Sequence, residues 1–500
     1  MNPTSTTMAQ PATTVRTESG LLAGVRDAAS GVRAWLGVPY AAAPVGDLRW
    51  RPPAPMPPWE GVRAADALAP QCVQPGRSAD SVYAEFSGAQ AMSEDCLTLN
   101  IWSPATTADA GLPVMVWIHG GAFQQGSAAN PVFVRGDLPR HGVVLVTINY
   151  RLGPFGFMAH PELSAEGGGS SGNYGLMDMA AALRWVQHDI AAFGGDPARV
   201  TVFGQSAGAH GVIALMASPE ARGLFRHAIA QSFGISPTPD LESAEAEGLA
   251  LARAAGEEGA IAGLRALSAE ALLQRYLARP ARFMPIVDGR FLRRTLAQTF
   301  AAGEQQALPL LTGWTRDEGS AFPGVADAGQ FRARLRERFG ERAAMAESLY
   351  PAGDDAEAAR SSRELFGDEL FAGGVLQAAR AQQPLAPTYL YHFDHVQPFE
   401  PHQRYREADP ASALGVFHSS DYPYVFGTTR ELTRAWGEAD ARMTALMQGY
   451  WVNFAKTGDP NGPGLPAWPR FADGRPTQLR LSPEPAPIEL PRAEQLRFLA

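Results

Sequence analysis

Two continuous apolar runs constrain the fold of this chain more than any other feature of the sequence. They are "PVMVWIHGG" at 113–121 and "GVVLVTINY" at 142–150, and neither run alternates apolar with polar residues. Continuous runs of this length are typical of strands that are buried on both faces, as in parallel sheets covered by helices. The sequence therefore predicts an α/β fold with a mostly parallel central sheet.

The segments after these runs repeat the alternation of strand and helix. A helical pattern over 174–193 ends at "GGDP", and the strand "RVTVFGQS" then leads into the Ala-rich helix "AGAHGVIALMA". The apolar segments "HAIAQSF", "ALPLLTGWT" and "PTYLYHFDH" continue the series, and β-rich segments precede it. This order predicts helices on both faces of the sheet, with a β-rich N-terminal part.

The domain organisation follows from shifts in composition. Residues 1–16 are polar and are predicted to form a disordered tail, and 17–500 are predicted to form one domain. Two stretches rich in Ala, Glu, Arg and Leu, about 236–300 and 325–385, are predicted to be helical insertions. They follow strands, so we expect them at the carboxyl edge of the sheet, where ligands of α/β proteins bind.

Composition disfavours several classes of function. The formal net charge is −9, which argues against nucleic acid as a partner, because phosphate binding needs clustered Lys and Arg. The sequence contains no run of about 18 apolar residues, so no membrane span is expected. No cofactor or metal is expected either, and the sequence says nothing about the oligomeric state.

The stretch "GQSAG" at 204–208 is the first candidate site. It joins an apolar strand to a helix, the setting in which a nucleophilic serine is exposed on a sharp turn. Gly204 and Gly208 allow close approach of the backbone, and the helix N-terminus favours negative charge near Ser206. An ordinary turn between strand and helix is the alternative interpretation.

The stretch "HGGAF" at 119–123 is the second candidate. Adjacent glycines leave backbone N–H groups unobstructed, as a site that binds an oxyanion requires. Gly120 and Gly121 would donate two hydrogen bonds, and the N–H of Ala207 would donate a third. His119 is interpreted as structural rather than as a catalytic base.

A serine nucleophile needs a base and a carboxylate that orients the base. In folds with this kind of turn the three follow the order Ser, acid, His along the chain. Asp317 and Glu318 come just after a buried strand, and His418 lies among aromatic residues in "ALGVFHSSDYPYVFG". The residues alone leave the choice between the two acids open. Asp421 is interpreted as a turn residue or a supporting acid.

The order and spacing of several motifs resemble the type-B carboxylesterase family, which includes para-nitrobenzyl esterases, animal carboxylesterases and cholinesterases. The resemblance covers about 17–470, and the motifs that carry it are "GVPYAAAPVGDLRW", "SEDCLTLNIW", "WIHGGAF", "INYRLGPFGF", the whole of 172–209, "DEGSAF", "HSSDYPYVFG" and "WVNFAKTGDPN". It implies an α/β-hydrolase fold with a catalytic triad and an oxyanion hole. The triad would be Ser206, Glu318 and His418, and the oxyanion hole Gly120, Gly121 and Ala207.

The same resemblance gives roles to neighbouring residues. Arg151 and Glu94 would form an ion pair that braces the sheet, and Asp196 would fix the loop before the nucleophile strand. Many family members carry Glu immediately before the serine, whereas this chain has Gln205. That difference removes a charge next to the site and changes none of the triad residues.

Cys72 and Cys96 are the two cysteines of the chain, and they resemble the first disulfide of the family. A disulfide would close a loop and would place the protein in a secreted or periplasmic compartment. The N-terminus shows no apolar signal segment, which favours a cytoplasmic protein with free thiols. The sequence leaves the two alternatives open.

The predicted function is hydrolysis of small carboxylic esters through an acyl-enzyme on Ser206. An amidase or carbamate hydrolase with the same triad is the alternative enzyme, and a non-catalytic binding protein on this fold is the alternative outside enzymes. Choline esters are disfavoured, since the segment between the cysteines offers Tyr83 and Phe86 but no Trp. Four residues of the insertions are candidates for an apolar pocket, although an ordinary core position is the favoured interpretation: Phe283, Met284, Phe322 and Phe371.

Overall fold

The computed structural model describes residues 13–134, 136–234, 238–256, 260–279, 281–474 and 477–500. They form two compact units. The first contains the described residues within 1–76, 87–228 and 237–299, and the second contains those within 77–86, 229–236 and 300–500. A single domain over 17–500 stays a prediction.

The first unit is built on a sheet with parallel strands at its centre. Its strands are β1 (Thr13–Arg16), β2 (Leu21–Arg26), β3 (Arg33–Pro39), β4 (Val62–Ala64), β5 (Gln71–Cys72), β6 (Met92–Ser93), β7 (Thr98–Ser103), β8 (Leu112–Ile118), β9 (Val144–Ile148) and β10 (Gly195–Gln205). The order in the sheet is β1-β2-β3-β7-β9-β8-β10, with β4 beside β2, and β5 pairs with β6 separately. Strands β9, β8 and β10 run parallel, and β7 runs antiparallel to β9.

The two apolar runs form β8 and β9, as predicted. Every residue of β9 is buried, as are the last six residues of β8, and Val116 pairs with Val146 on one side and with Val202 on the other. These central strands are covered on both faces, which is why their sequences do not alternate.

Helices of the first unit follow the strands. They are α1 (Pro131–Val134), α2 (Gly153–Phe157), α3 (Pro161–Glu166), α4 (Tyr174–Asp189), α5 (Ala207–Ala217), α6 (Leu241–Ala254), α7 (Ile261–Ala266) and α8 (Ala269–Ala278). The helix predicted over 174–193 is α4 plus one 3₁₀ turn, and Gly194 at φ +84° ends it. The chain passes into the second unit within β11 (His227–Gln231), and again within α9 (Leu296–Ala301).

The second unit carries its own strands and helices. Strands β12 (Leu310–Thr315), β13 (Thr388–Phe393) and β14 (Thr477–Leu481) are parallel neighbours, and β15 (Ala486–Glu489) runs antiparallel to β14. Its helices are α10 (Ala328–Phe339), α11 (Ala343–Leu349), α12 (Asp355–Gly367), α13 (Gly373–Gln382), α14 (Tyr422–Phe426), α15 (Glu438–Thr457) and α16 (Ala493–Leu499). Helices α6 to α9 and α10 to α13 occupy the two stretches predicted as helical insertions. None of the helices of the described residues is both long and apolar enough to cross a bilayer.

The predicted tail differs from the structure in its last four residues. Residues 1–12 lie outside the described residues, but Thr13–Arg16 form β1. Val15 pairs with Leu22 and is buried, and the indole of Trp35 donates to the carbonyl of Thr13 at 3.0 Å. The polar composition of the segment hid this edge strand, because its side chains are buried at only one position.

The predicted ion pair between Arg151 and Glu94 is wrong. Arg151 instead forms a bidentate pair with Asp178 of α4, at 2.7 and 2.8 Å, and both side chains are almost fully buried. Glu94 pairs with Arg49 at 2.6 Å, and this arginine also donates to the carbonyls at the end of α7. Asp178 lies within an otherwise apolar helical pattern, and that placement was the sequence signal of a buried, paired charge.

The disulfide is absent, and both cysteines are buried free thiols. The Cys72 thiol donates to the carbonyl of Tyr150 at 2.9 Å. Burial raises the pKa of Cys96 well above its usual value, and the neighbouring Cys72 adds to the shift. The Cys96 thiol is therefore protonated at neutral pH and lacks the thiolate that thiol chemistry requires.

Candidate functional site

Ser206 lies at a strained turn between a strand and a helix. Strand β10 ends at Gln205 and helix α5 begins at Ala207, and Ser206 between them has φ +55° and ψ −123°. A non-glycine residue with this backbone costs about 1–3 kcal/mol, and such strain persists where the surroundings enforce it. Its two neighbours are buried while Ser206 itself is partly exposed. The turn therefore presents the hydroxyl-bearing side chain at the surface of the first unit.

The two glycines of the motif make this turn sterically feasible. A Cβ on Gly208 would lie 2.0 Å from the carbonyl oxygen of Ile118, at the end of β8. A Cβ on Gly204 would lie 2.6 Å from the carbonyl carbon of Gly208. Backbones of the turn and of β8 approach so closely that no side chain fits at either position.

The loop after β8 packs against the same turn. A Cβ on Gly120 would lie 2.9 Å from the backbone oxygen of Gln205 and 3.2 Å from Cβ of Ser206. Gly121 has φ +117°, and the next two residues, Ala122 and Phe123, also have positive φ. The backbone of Ala122 and Phe123 is costly for residues other than glycine, so the surrounding structure must hold the loop in this conformation beside Ser206.

Three N–H groups are available near this turn. Within the described part of the chain, the N–H groups of Gly120 and Gly121 donate to no protein acceptor. Ala207 is the first residue of α5, so its N–H has no acceptor inside the helix. Such groups beside a serine are the donors that can stabilise an oxyanion.

His119 is structural, as the sequence suggested. It is buried, its Nδ1–H donates to the carbonyl of Gly120 at 2.9 Å, and its ring stacks on Tyr150 at 4.5 Å. Burial lowers the pKa of His119 to about 4, so the ring is neutral at physiological pH. A Cβ on Gly126 would lie 2.2 Å from its Nδ1. The histidine thus supports the strained loop from behind.

The second unit contains a buried pair of a histidine and a carboxylate. His418 Nδ1 lies 2.5 Å from Glu318 Oε2, and both side chains are buried. The other oxygen, Oε1, accepts the backbone N–H of Thr315 at the end of β12, at 2.8 Å. Glu318 is therefore fixed at both oxygens, and its contact determines which nitrogen of His418 carries the proton.

Asp317, the other candidate acid of the sequence analysis, binds residues of the loops around it and not His418. Its Oδ2 accepts the N–H of Val416 at 2.8 Å and pairs with Arg316 at 3.0 Å.

Asp196, which was predicted to fix the loop before β10, accepts the N–H of Ala198 and pairs with Arg199, both at 2.9 Å.

Aromatic rings surround His418. Phe371 stacks on it with 4.3 Å between ring centroids, and Phe322 lies at 5.7 Å. Both were candidates for an apolar pocket, and they place apolar surface next to the imidazole in the second unit. Phe283, a candidate in the first unit, packs on Tyr276 at 5.9 Å.

Asp421 is a fully buried acid close to this pair along the chain. Its Oδ2 accepts from the Gln231 amide at 2.6 Å, and the Gln231 oxygen accepts from the Trp451 indole at 3.1 Å. Within the part of the chain that the structure describes, Oδ1 has no hydrogen-bond partner. Burial raises the pKa of Asp421 to about 6, and the negative charge of Glu318 adds to the shift. The sequence analysis singled out this acid but did not predict its complete burial.

This raised pKa predicts a stability that falls as pH rises. The carboxyl binds its proton more tightly in the folded protein than in the unfolded chain. Its contribution to the free energy of unfolding is therefore fully present below about pH 4 and is lost as the pH rises through about 6. With an unfolded value of 3.8 and a folded value of about 6, the loss is about 3 kcal/mol at most. In Asp421→Asn, where an amide oxygen still accepts from Gln231, we expect this loss to disappear. Urea unfolding of both proteins at pH 4.5 and pH 8 measures it, and parallel pH dependences would contradict the prediction.

Comparisons with known proteins agree on one family. A family model described as "Carboxylesterase family" matches residues 11–499. The chain is 41% identical to fumonisin B1 esterase of Sphingopyxis macrogoltabida, over 91% of this chain and 84% of that protein. It is 37% identical to para-nitrobenzyl esterase of Bacillus subtilis (strain 168), over 91% and 92% of the two chains. A solved structure titled PNB esterase superposes with a TM-score of 0.84 at 34% identity, covering 97% of this chain and 99% of the other.

Proposed function

The chain belongs to the carboxylesterase family, has the α/β-hydrolase fold and is a carboxylic ester hydrolase, and we propose that it acts through an acyl-enzyme on Ser206. In this proposal His418 is the general base, Glu318 orients it, and Gly120, Gly121 and Ala207 donate to the oxyanion. The substrates are small esters, and the reaction needs no metal or cofactor.

The observation that carries the proposal is the backbone of Ser206. A serine at φ +55° between a buried strand and a helix is the arrangement that exposes a nucleophile in α/β hydrolases. An ordinary turn between strand and helix would relax to an unstrained conformation. The strain here is enforced by the contact of Gly208 with β8, and the same contact sets the N–H of Ala207 beside the serine.

The pair in the second unit supplies the base. The 2.5 Å contact with Glu318 keeps the proton of neutral His418 on Nδ1, so the lone pair is on Nε2. The proposal requires Oγ of Ser206 to lie within hydrogen-bond reach of this nitrogen. Nε2 then takes the hydroxyl proton as Oγ attacks the ester carbonyl, and Glu318 stabilises the charged imidazole.

The remaining steps follow from the same groups. The three N–H donors stabilise the negative charge that develops on the carbonyl oxygen, and loss of one such donor typically costs about 3–4 kcal/mol of barrier. The alcohol leaves with the proton from Nε2, and the acyl group stays on Oγ. A water molecule, deprotonated by His418, then attacks the acyl-enzyme, and the carboxylic acid is released.

Covalent labelling tests the proposed nucleophile. An alkyl fluorophosphonate reacts with an activated serine by displacement of fluoride, so we expect one adduct, on the peptide that contains Ser206. Labelling should be much slower in His418→Asn, because the base that activates the hydroxyl is missing. Peptide mass spectrometry locates the adduct. An adduct on another serine, or an equal labelling rate without the histidine, would contradict the proposal.

A further inference from the structure

Arg77 is a partly buried cation that forms no ion pair with any residue in the described ranges. It lies in the second unit, and its guanidinium carbon is 5.5 Å from the centre of the Tyr83 ring. Among the described residues the guanidinium forms no ion pair and donates no hydrogen bond. Burial lowers the pKa of Arg77 from its usual value. A guanidinium has five N–H donors, and those that meet no protein acceptor here are free to bind an anion that reaches this position.

The nearby carboxylates are bound to other groups. Glu407 accepts the Ser81 hydroxyl at 2.6 Å with one oxygen and a backbone N–H at 3.0 Å with the other. Glu85 forms a bidentate pair with Arg434 at 2.6 and 3.0 Å. Neither acid comes within ion-pair distance of Arg77, although the more distant charge of Glu407 attracts it.

Two neighbouring aromatic rings lie between Arg77 and the histidine of the proposed triad. The Tyr83 ring lies under the guanidinium, and its centre is 6.3 Å from that of Phe322. The Phe322 ring is in turn 5.7 Å from the ring of His418. Burial raises the pKa of Tyr83 well above its usual value, and the negative charge of Glu318 adds to the shift, which is a second sign that this tyrosine is close to the pair. The cation and the base are therefore linked by a short series of neighbouring rings within the second unit.

We propose that Arg77 binds a carboxylate of the substrate, so that the preferred esters carry a free carboxylate on their acyl or alcohol part. This inference rests on the proposed function, because it assigns the substrate class of the same site. The planar guanidinium matches a carboxylate with two parallel hydrogen bonds. Since Arg77 is already partly desolvated by the fold, a bound carboxylate replaces fewer water contacts than it would at an exposed lysine. Two aromatic rings separate the cation from the imidazole, so the carboxylate must be several bonds from the ester carbonyl.

Two series of esters test this inference. In the first, p-nitrophenyl monoesters of straight-chain dicarboxylic acids, from glutaric to sebacic acid, are compared with p-nitrophenyl esters of monocarboxylic acids of equal length. In the second, butyrate esters of ω-hydroxy acids are compared with butyrate esters of the corresponding alcohols. We expect kcat/KM to favour the charged ester at least tenfold at one chain length in one series. The preference should decrease at high salt.

Three variants assign the preference to one side chain. Arg77→Gln keeps a polar side chain and removes the charge, so the ratio of kcat/KM for charged over neutral esters should fall at least tenfold, mainly through KM. Arg77→Lys keeps the charge but lacks the two parallel N–H donors of the guanidinium, so it should retain part of the preference for charged esters. Arg442→Gln removes an exposed arginine of α15 and should leave the ratio unchanged.

The outcomes separate this inference from the function on which it rests. If neutral esters are hydrolysed and the ratio is close to one in both series, or is the same in wild type and Arg77→Gln, the carboxylate site is wrong and the esterase stands. If hydrolysis of every ester survives the loss of Ser206, the proposed function itself is wrong. A substitution that only damaged the fold would lower both rates together and leave the ratio as it was, which also overturns the assignment.

Discussion

Replacement of Ser206 by alanine should remove almost all ester hydrolysis. The substitution removes the atom that forms the acyl-enzyme, and loss of a serine nucleophile in an intact triad lowers kcat on the order of 10⁶-fold. The oxyanion donors remain, so some rate above uncatalysed hydrolysis should persist. The measurement is release of p-nitrophenol from esters between acetate and decanoate, by wild type and by Ser206→Ala.

Ser243→Ala is a matched control, since Ser243 is an exposed serine of helix α6 in the same unit. Its activity should equal that of the wild type. In the same series of esters, the acyl chain length that the wild type hydrolyses fastest measures the size of the acyl pocket. Full activity in Ser206→Ala, or equal losses in both variants, would show that the turn at Ser206 is structural and that the nucleophile lies elsewhere.

The central sheet was predictable because its strands carry an unusual pattern. Runs such as 113–121 and 142–150 do not alternate apolar with polar residues, which is typical of strands buried on both faces. The turn at Ser206 was predictable for a related reason, since glycines on both sides of a serine mark a backbone that other residues cannot adopt. Local chemistry determines these features, and a single sequence displays local chemistry directly.

Pairings between residues that are distant in the sequence were harder to predict. The choice between Asp317 and Glu318 depends on which carboxylate faces His418. The side chains of adjacent residues after a strand point in different directions, and the sequence does not show which of them points towards a distant histidine. Arg151 was paired with the wrong acid because Asp178 lies on a helix that only the fold brings to it. That Arg77 forms no ion pair within the described part of the chain is also a property of three dimensions, because it depends on where each of the surrounding acids lies.

Replacement of Glu318 by glutamine should lower kcat about 10³–10⁴-fold and leave the fold intact. The N–H of Thr315 donates to Oε1 at 2.8 Å, so the amide oxygen of glutamine should occupy that position. The amide nitrogen would then face Nδ1 of His418 in place of Oε2. An amide nitrogen donates, which forces Nδ1 to accept and moves the proton of the neutral ring to Nε2. A ring with its proton there cannot take the proton of a serine hydroxyl, and the same tautomer effect of an orienting acid costs about 10⁴-fold in serine proteases.

Asp317→Asn is the matched control, because Asp317 is the adjacent acid and holds the loop through the N–H of Val416. Its amide oxygen can keep that hydrogen bond, so kcat should stay within a few-fold of the wild type. The measurement is kcat of both variants on one p-nitrophenyl ester between pH 6 and pH 10, with thermal unfolding to verify the fold. A large loss in Asp317→Asn with near-normal activity in Glu318→Gln would assign the orienting role to Asp317. Losses of the same size in both would show that the loop as a whole, rather than one carboxylate, positions the histidine.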